Sequence, residues 1–351
     1  MQYQRPNRIE EAQDPGRRSI AGALAAAPLV LGLSSLHANP AQKPIVIQFS
    51  HVVTPDTAKG QAALRFKALA ESRTGGRVRV EVYPNSTLYK DREELEALRL
   101  GTVQMLAPSL SKLAKLGGGD FEVFDLPFLF RDSAAVRAVV EGPVGASLLG
   151  KLQASGIKGL AYWDNGFKVF TANRPLQAVD DFKALKMRVQ ASRVLVEQMK
   201  ALGSVPSVSP MIEVYQALKD GRLDGQENTP SNIYTQRLHE VQGHMTLSNH
   251  GYLAYAVIVN KLFWDRLPAD IRSLLEGAMQ DATRYANGIA TAENTRALDQ
   301  IRSAGRLTVY TPGAQELAAW RTALMPVYRQ SRDWIDPVTL AAIQAKSGVP
   351  P

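Results

Sequence analysis

Short apolar strands alternate with helical stretches along most of this sequence, and that alternation limits the fold more than any other feature. Ile45–Phe49 reads as a strand apolar enough to be buried on both faces, with a helix following over Ala58–Ser72. Gly75-Gly76 turns the chain into Val78–Tyr83, an alternating strand. A helix near Asp91–Leu100, a short strand at Val103–Ala107 and a loop at Gly117-Gly118-Gly119, read as a solvated turn, come next. Strand, helix, strand, helix in this order calls for right-handed βαβ units and a mostly parallel sheet. The alternation resumes after Gly156, with strands at Ile157–Trp163, Phe167–Ala172, Lys186–Gln190, Ser204–Val208 and Leu253–Asn260. Helices fall near Arg193–Leu202 and Ile212–Asp220, the latter stopped by Gly221. From Pro268 to about Ala304 the pattern is helical, and a helix of ~35 residues measures ~50 Å, enough to cross two small domains. A chain of 351 residues without repeats or a low-complexity tether is expected to form two α/β lobes.

The first residues read as an address. Arg17 and Arg18 precede an uncharged apolar run from Ile20 to Leu33, followed by Ser34, Ser35, Leu36, His37 and Ala38. A positive stretch, a short apolar stretch and a small residue at the end make a secretory signal peptide, with cleavage expected after Ala38. The run is too short for a membrane span, which needs ~20 apolar residues. General secretion fits better than the twin-arginine route, because Ser19, Ile20 and Ala21 match that motif only in part. A chain exported in this way and carrying no other span is periplasmic or secreted.

Little catalytic chemistry is written into the rest. Cysteine is absent, which excludes disulfides, thiolate metal sites, a cysteine nucleophile and a lipoprotein anchor. A formal charge of +8 suits anionic partners, yet no run of like charges or basic-aromatic cluster points to nucleic acid. Gly145-Ala146-Ser147-Leu148-Leu149 fails as a nucleophile elbow at its last position. His239 and His244 stand five apart, on different sides of a helix, and cannot share a metal. No enzyme, metal or cofactor is therefore expected.

Several blocks do carry a signal together. They include Phe49-Ser50-His51-Val52-Val53, Lys59-Gly60-Gln61, Val82-Tyr83-Pro84-Asn85-Ser86, Leu88-Tyr89-Lys90-Asp91 and Ala107-Pro108-Ser109-Leu110-Ser111-Lys112. Further along come Phe124-Asp125-Leu126-Pro127-Phe128, Tyr162-Trp163-Asp164-Asn165-Gly166-Phe167-Lys168, Leu185-Lys186-Met187-Arg188-Val189-Gln190, Asp224-Gly225-Gln226-Glu227-Asn228 and Phe263-Trp264-Asp265. From about Ile45 to Ala304 the chain resembles the solute-binding proteins of TRAP transporters, the DctP family, in the branch that binds C4-dicarboxylates.

The resemblance implies a two-lobed α/β periplasmic binding protein, with a ligand cleft between the lobes and a long helix spanning both. On that pattern one lobe takes residues 42–165 and 254–293, the other 166–253 and 294–347. Closure by hinge bending would capture a small dicarboxylate (succinate, malate or fumarate) for delivery to a membrane permease. The alternative is another organic acid, whether aromatic, keto or sugar acid. The ligand's principal contact is implied at Arg188, whose planar guanidinium matches a carboxylate bidentately. Lys168 is expected to meet a second carboxylate, and Asn228 to donate its amide. His51, Lys90, Ser109 and Ser111 fall at strand ends or adjacent loops, where ligands of open α/β sheets bind. Trp163 and Tyr252 belong either to the cleft wall or to the core. A monomer is expected, with no nucleic-acid partner and no membrane insertion after processing.

Overall fold

The computed structural model describes residues 43–117 and 119–349, so the expected signal peptide at 1–38 lies outside the described residues. Nine strands form one sheet: β1 (Ile45–Ser50), β2 (Val78–Tyr83), β3 (Met105–Leu106), β4 (Ile157–Ala172), β5 (Lys186–Val189), β6 (Val205–Val208), β7 (Gly225–Asn228), β8 (His244–Asn260) and β9 (Thr308–Tyr310). Their order is β2-β1-β3-β8-β4-β7-β5-β6, with β9 paired to β8. The flanks β1–β2, β1–β3, β5–β6 and β5–β7 are parallel, as βαβ units require. The centre departs from the mostly parallel expectation, because β4 runs antiparallel to both β7 and β8, and β3 antiparallel to β8.

β4 and β8 are long enough to serve both halves of the sheet. Ile157–Asp164 pairs with Ala254–Asn260, which continues to β3, while Val169–Ala172 pairs with β7. Register shifts interrupt the β4–β8 ladder at Gly159/Ala161, Asp164/Gly166 and Lys168/Phe170. Bulges of this kind bend a strand and increase its twist. At Gly166 φ is +147°, and a Cβ there would lie 2.7 Å from the Asn294 amide nitrogen.

The helix Ala269–Ala304 is about 54 Å long at 1.5 Å per residue. Gly305 ends it in the left-handed conformation. Its buried face is largely alanine in the middle (Ala278, Ala282, Ala286, Ala290), which lets it approach β4 closely. It packs on the helix Ala58–Arg73 at one end and on the helix Pro230–Thr235 at the other. Thr57 caps the Ala58–Arg73 helix by accepting from the Gly60 N–H. Only glycine fits at position 60, where a Cβ would stand 2.5 Å from the Thr54 carbonyl oxygen.

Two further expectations change. Gly119 is no solvated turn: a Cβ there would meet the Trp334 carbonyl oxygen at 1.9 Å, so the glycine permits close packing. The C-terminal segment does not stay with one half of the molecule. Helix Ala314–Ser331 packs on helix Arg193–Ala201, whereas helix Pro337–Ser347 packs on Ser133–Val140 and Pro143–Lys151. That return is pinned where the Asp336 N–H donates to Asp120 and the Arg131 N–H to the Ser347 carbonyl.

Trp163 belongs to the core between the first strands and the long helix, against Phe49, with its indole N–H donating to Thr283. Tyr252 packs in the largest core, edge-on to Phe167. Among the described residues, no helix is long and apolar enough to cross a membrane.

Candidate functional site

Arg188 stands on β5, between its parallel neighbours β6 and β7, and is only 1 % exposed. Its Nε and Nη2 both donate to the Ser209 carbonyl oxygen, at 3.0 and 2.9 Å, which fixes the plane of the guanidinium. Nη1 is buried and has no hydrogen-bond partner among the described residues. An arginine cannot shed its charge, so a buried donor of this kind carries a desolvation cost until an acceptor reaches it. A cleft of about 380 Å³ leads to it, lined by Asp91, Lys112, Gln190, Val208 and Ser209 among others.

Behind Arg188 lies a second buried cation. Lys168 on β4 faces Glu227 on β7 at 2.8 Å and Asp125 at 3.4 Å. Burial works against the Lys168 charge, but the two carboxylates outweigh it and raise the pKa. Burial pushes the Glu227 carboxyl up, against the pull of Lys168. His250 completes this layer, stacked on Phe170 at 3.8 Å and bonded to Ser248 at 2.7 Å. Burial, then the Lys168 charge, holds His250 well below the ordinary histidine range, so its ring is neutral.

The segments after β2 and β3 bring Asp91 and Lys112 to the same cleft, and the loop after β1 and the start of the segment after β3 add further buried polar groups. His51 follows β1, buried, with neither ring nitrogen partnered among the described residues. Burial and the Lys59 charge lower its pKa to about 3. The Ser109 hydroxyl is likewise buried without a partner, whereas Ser111 bonds Asp125 at 2.8 Å and Gln190 at 3.0 Å. Lys112 is clasped by Asp91 at 2.5 Å and Glu94 at 2.7 Å. The other oxygen of Asp91 accepts from the Met211 N–H, at the start of helix Met211–Lys219.

Asn228 ends β7 and is buried. Its side-chain oxygen accepts from the Thr229 N–H and from Asn232, and its amide nitrogen reaches only the Met211 sulfur, at 3.9 Å. That nitrogen is a donor with spare capacity.

The structure thus gathers Arg188, Asn228, Ser111 and Lys168 with His51 and Ser109 as buried polar groups. It does not gather Lys90, whose side chain is exposed. Lys168 also differs from expectation, since its ammonium is engaged by two carboxylates of the protein itself. Sequence reasoning passed over Asp91, Glu94, Lys112, Asp125, Glu227 and Lys59. Lys59 did leave a trace: with Ala62, Ala63, Phe66 and Ala70 it falls on the buried stripe of its helix, where a lysine needs a reason.

Comparison with known proteins places this geometry in context. The family model DctP, bacterial extracellular solute-binding protein, family 7, matches residues 49–333. The C4-dicarboxylate-binding periplasmic protein DctP of Rhodobacter capsulatus is 56 % identical over 330 residues, covering 94 % of this chain and 98 % of that one. A TRAP periplasmic solute-binding protein of Shewanella oneidensis, solved with bound succinate, superposes with a TM-score of 0.85 at 42 % identity. It covers 87 % of this chain and 99 % of its own. One from Pseudomonas aeruginosa with bound L-malate gives 0.79 at 42 % identity, covering 82 % of this chain and all of its own.

Proposed function

The chain belongs to the DctP family of bacterial extracellular solute-binding proteins, family 7, and from that premise we propose that it captures a C4-dicarboxylate for a TRAP transporter. It works in the periplasm as a monomer, performs no chemistry on its ligand, and hands it to a membrane permease after the lobes close. The observation that carries the reading is Arg188. A buried guanidinium, aligned by one carbonyl and with a donor to spare, faces the cleft and suits a carboxylate. Asn228, His51, Ser109 and Ser111 surround the rest of a four-carbon diacid with donors and acceptors. Micromolar affinity corresponds to about −8 kcal/mol, within reach of two charge-assisted contacts and closure.

The test is a thermal-shift screen of the mature protein, unfolded and refolded to strip carried-over ligand, against small organic acids. A true ligand at 100 times its Kd adds ~2.7 kcal/mol. A shift with succinate, malate or fumarate is expected. A shift confined to aromatic, keto or sugar acids overturns the dicarboxylate assignment.

A further inference from the structure

Among the described residues four lysines and arginines are buried: Lys59, Lys112, Lys168 and Arg188. Two are already matched by carboxylates of the protein, Lys112 by Asp91 and Glu94, and Lys168 by Glu227 and Asp125. Among the described residues Arg188 and Lys59 have no carboxylate within ion-pair distance. The two come from different parts of the sheet, Arg188 from β5 and Lys59 from the first turn of the helix that packs against β1 and β2. A diacid has two carboxylates, and the fold leaves two buried cations unmatched.

We propose that Lys59 holds the second carboxylate of the ligand and so sets the preference for diacids over monoacids. This deepens the dicarboxylate reading and rests on it. Lys59 is 2 % exposed, and its ammonium spends one donor, on the Ala107 carbonyl at 3.1 Å. Its underside lies 3.8 Å above the Tyr255 ring, which stabilises a cation without pairing it. Around it stand the unpartnered nitrogens of His51 and, two residues past Ala107, the unpartnered hydroxyl of Ser109. A carboxylate only accepts, and the Ser109 hydroxyl and the protonated nitrogen of a neutral His51 are donors buried without partners next to an unmatched cation. Burial, with the Lys112 charge beside it, holds the Lys59 pKa down to about 7. A carboxylate brought against it restores the charge. Lys168, between its two carboxylates, has no such need.

The experiment is calorimetric titration of the wild type and of Lys59→Met with succinate and with monomethyl succinate. The wild type is expected to bind succinate more tightly. In Lys59→Met succinate affinity falls by about 30-fold or more, while monomethyl succinate changes by less than about twofold, so the preference collapses. Unchanged succinate affinity in the folded variant, or equal loss for both ligands, overturns the proposal. If Lys59→Met does not fold, a crystal structure of the wild type with succinate decides: a carboxylate oxygen within about 3.5 Å of Nζ supports the role, and a longer separation overturns it. A wild type that binds no four-carbon diacid overturns the dicarboxylate reading itself, and this proposal with it. Diacid binding with an indifferent Lys59 overturns this proposal alone.

Discussion

Arg188 owes its value to shape as much as to charge. One edge of the guanidinium is spent on the Ser209 carbonyl, and the remaining nitrogen is presented without freedom to rotate. A lysine keeps the charge but cannot hold that carbonyl twice and still offer a second donor. Arg188→Lys is therefore expected to fold and to bind the wild type's ligand about 10- to 100-fold more weakly, read by calorimetry. Affinity within a factor of two of the wild type would remove Arg188 from the site. Its place on a strand was legible in Lys186-Met187-Arg188-Val189-Gln190, and Asn228 and His51 are buried as well. The matching of charges was not legible. Nothing in Phe167-Lys168-Val169 tells that Asp125 and Glu227, 43 residues before and 59 after Lys168, converge on its ammonium. Such pairing is a property of the folded sheet, where β4 lies beside β7.

Asp91 joins elements that the sheet keeps far apart. Its loop follows β2, at one end of the strand order, and Met211 follows β6, at the other. Asp91 caps the Met211–Lys219 helix, whose own Pro210 offers no side-chain acceptor. Burial alone would raise the Asp91 pKa, but Lys112, through charge and hydrogen bond, brings it to about 2. The native pKa lies below the unfolded value, so the stabilisation is present above pH ~4 and lost as pH falls towards 2. Asp91→Asn is expected to cost about 2 kcal/mol at pH 7, and the difference should vanish near pH 2; equal Tm at pH 7 would deny the cap. Strands with apolar periodicity were legible, and so was the long helix. β7 was missed because Gly225-Gln226-Glu227-Asn228 is polar. Its side chains are buried against other polar groups, as where Gln226 donates to Thr171. β4 was divided in two because Asp164, Asn165 and Gly166 interrupt the apolar run at the bulge.

Closure is the property of the whole molecule. The long helix fastens the bulge in β4 through two asparagines seven residues apart on one face. Asn287 accepts from the Asp164 N–H at 2.8 Å, and Asn294 donates to the Asn165 carbonyl at 2.6 Å. β4 and β8 run through this point beside the long helix, so a bend here is shared by three elements that continue from one half of the sheet into the other. A hinge at that point moves the walls at the cleft mouth, which Arg99 and Val208 line, towards each other. Leu100, beside Arg99, and Val205, on the same strand as Val208, are both well exposed and accept labels without disturbing a core. The chain has no cysteine of its own, so Leu100→Cys and Val205→Cys in one molecule create two unique labelling sites. Energy transfer between dyes at these sites is expected to rise when the stripped protein is saturated with its acid, and to rise less at the same concentration in Arg188→Lys. Constant transfer at a concentration where calorimetry shows full occupancy would mean that binding and closure are not coupled. Ligand capture would then rest on the preformed cleft alone.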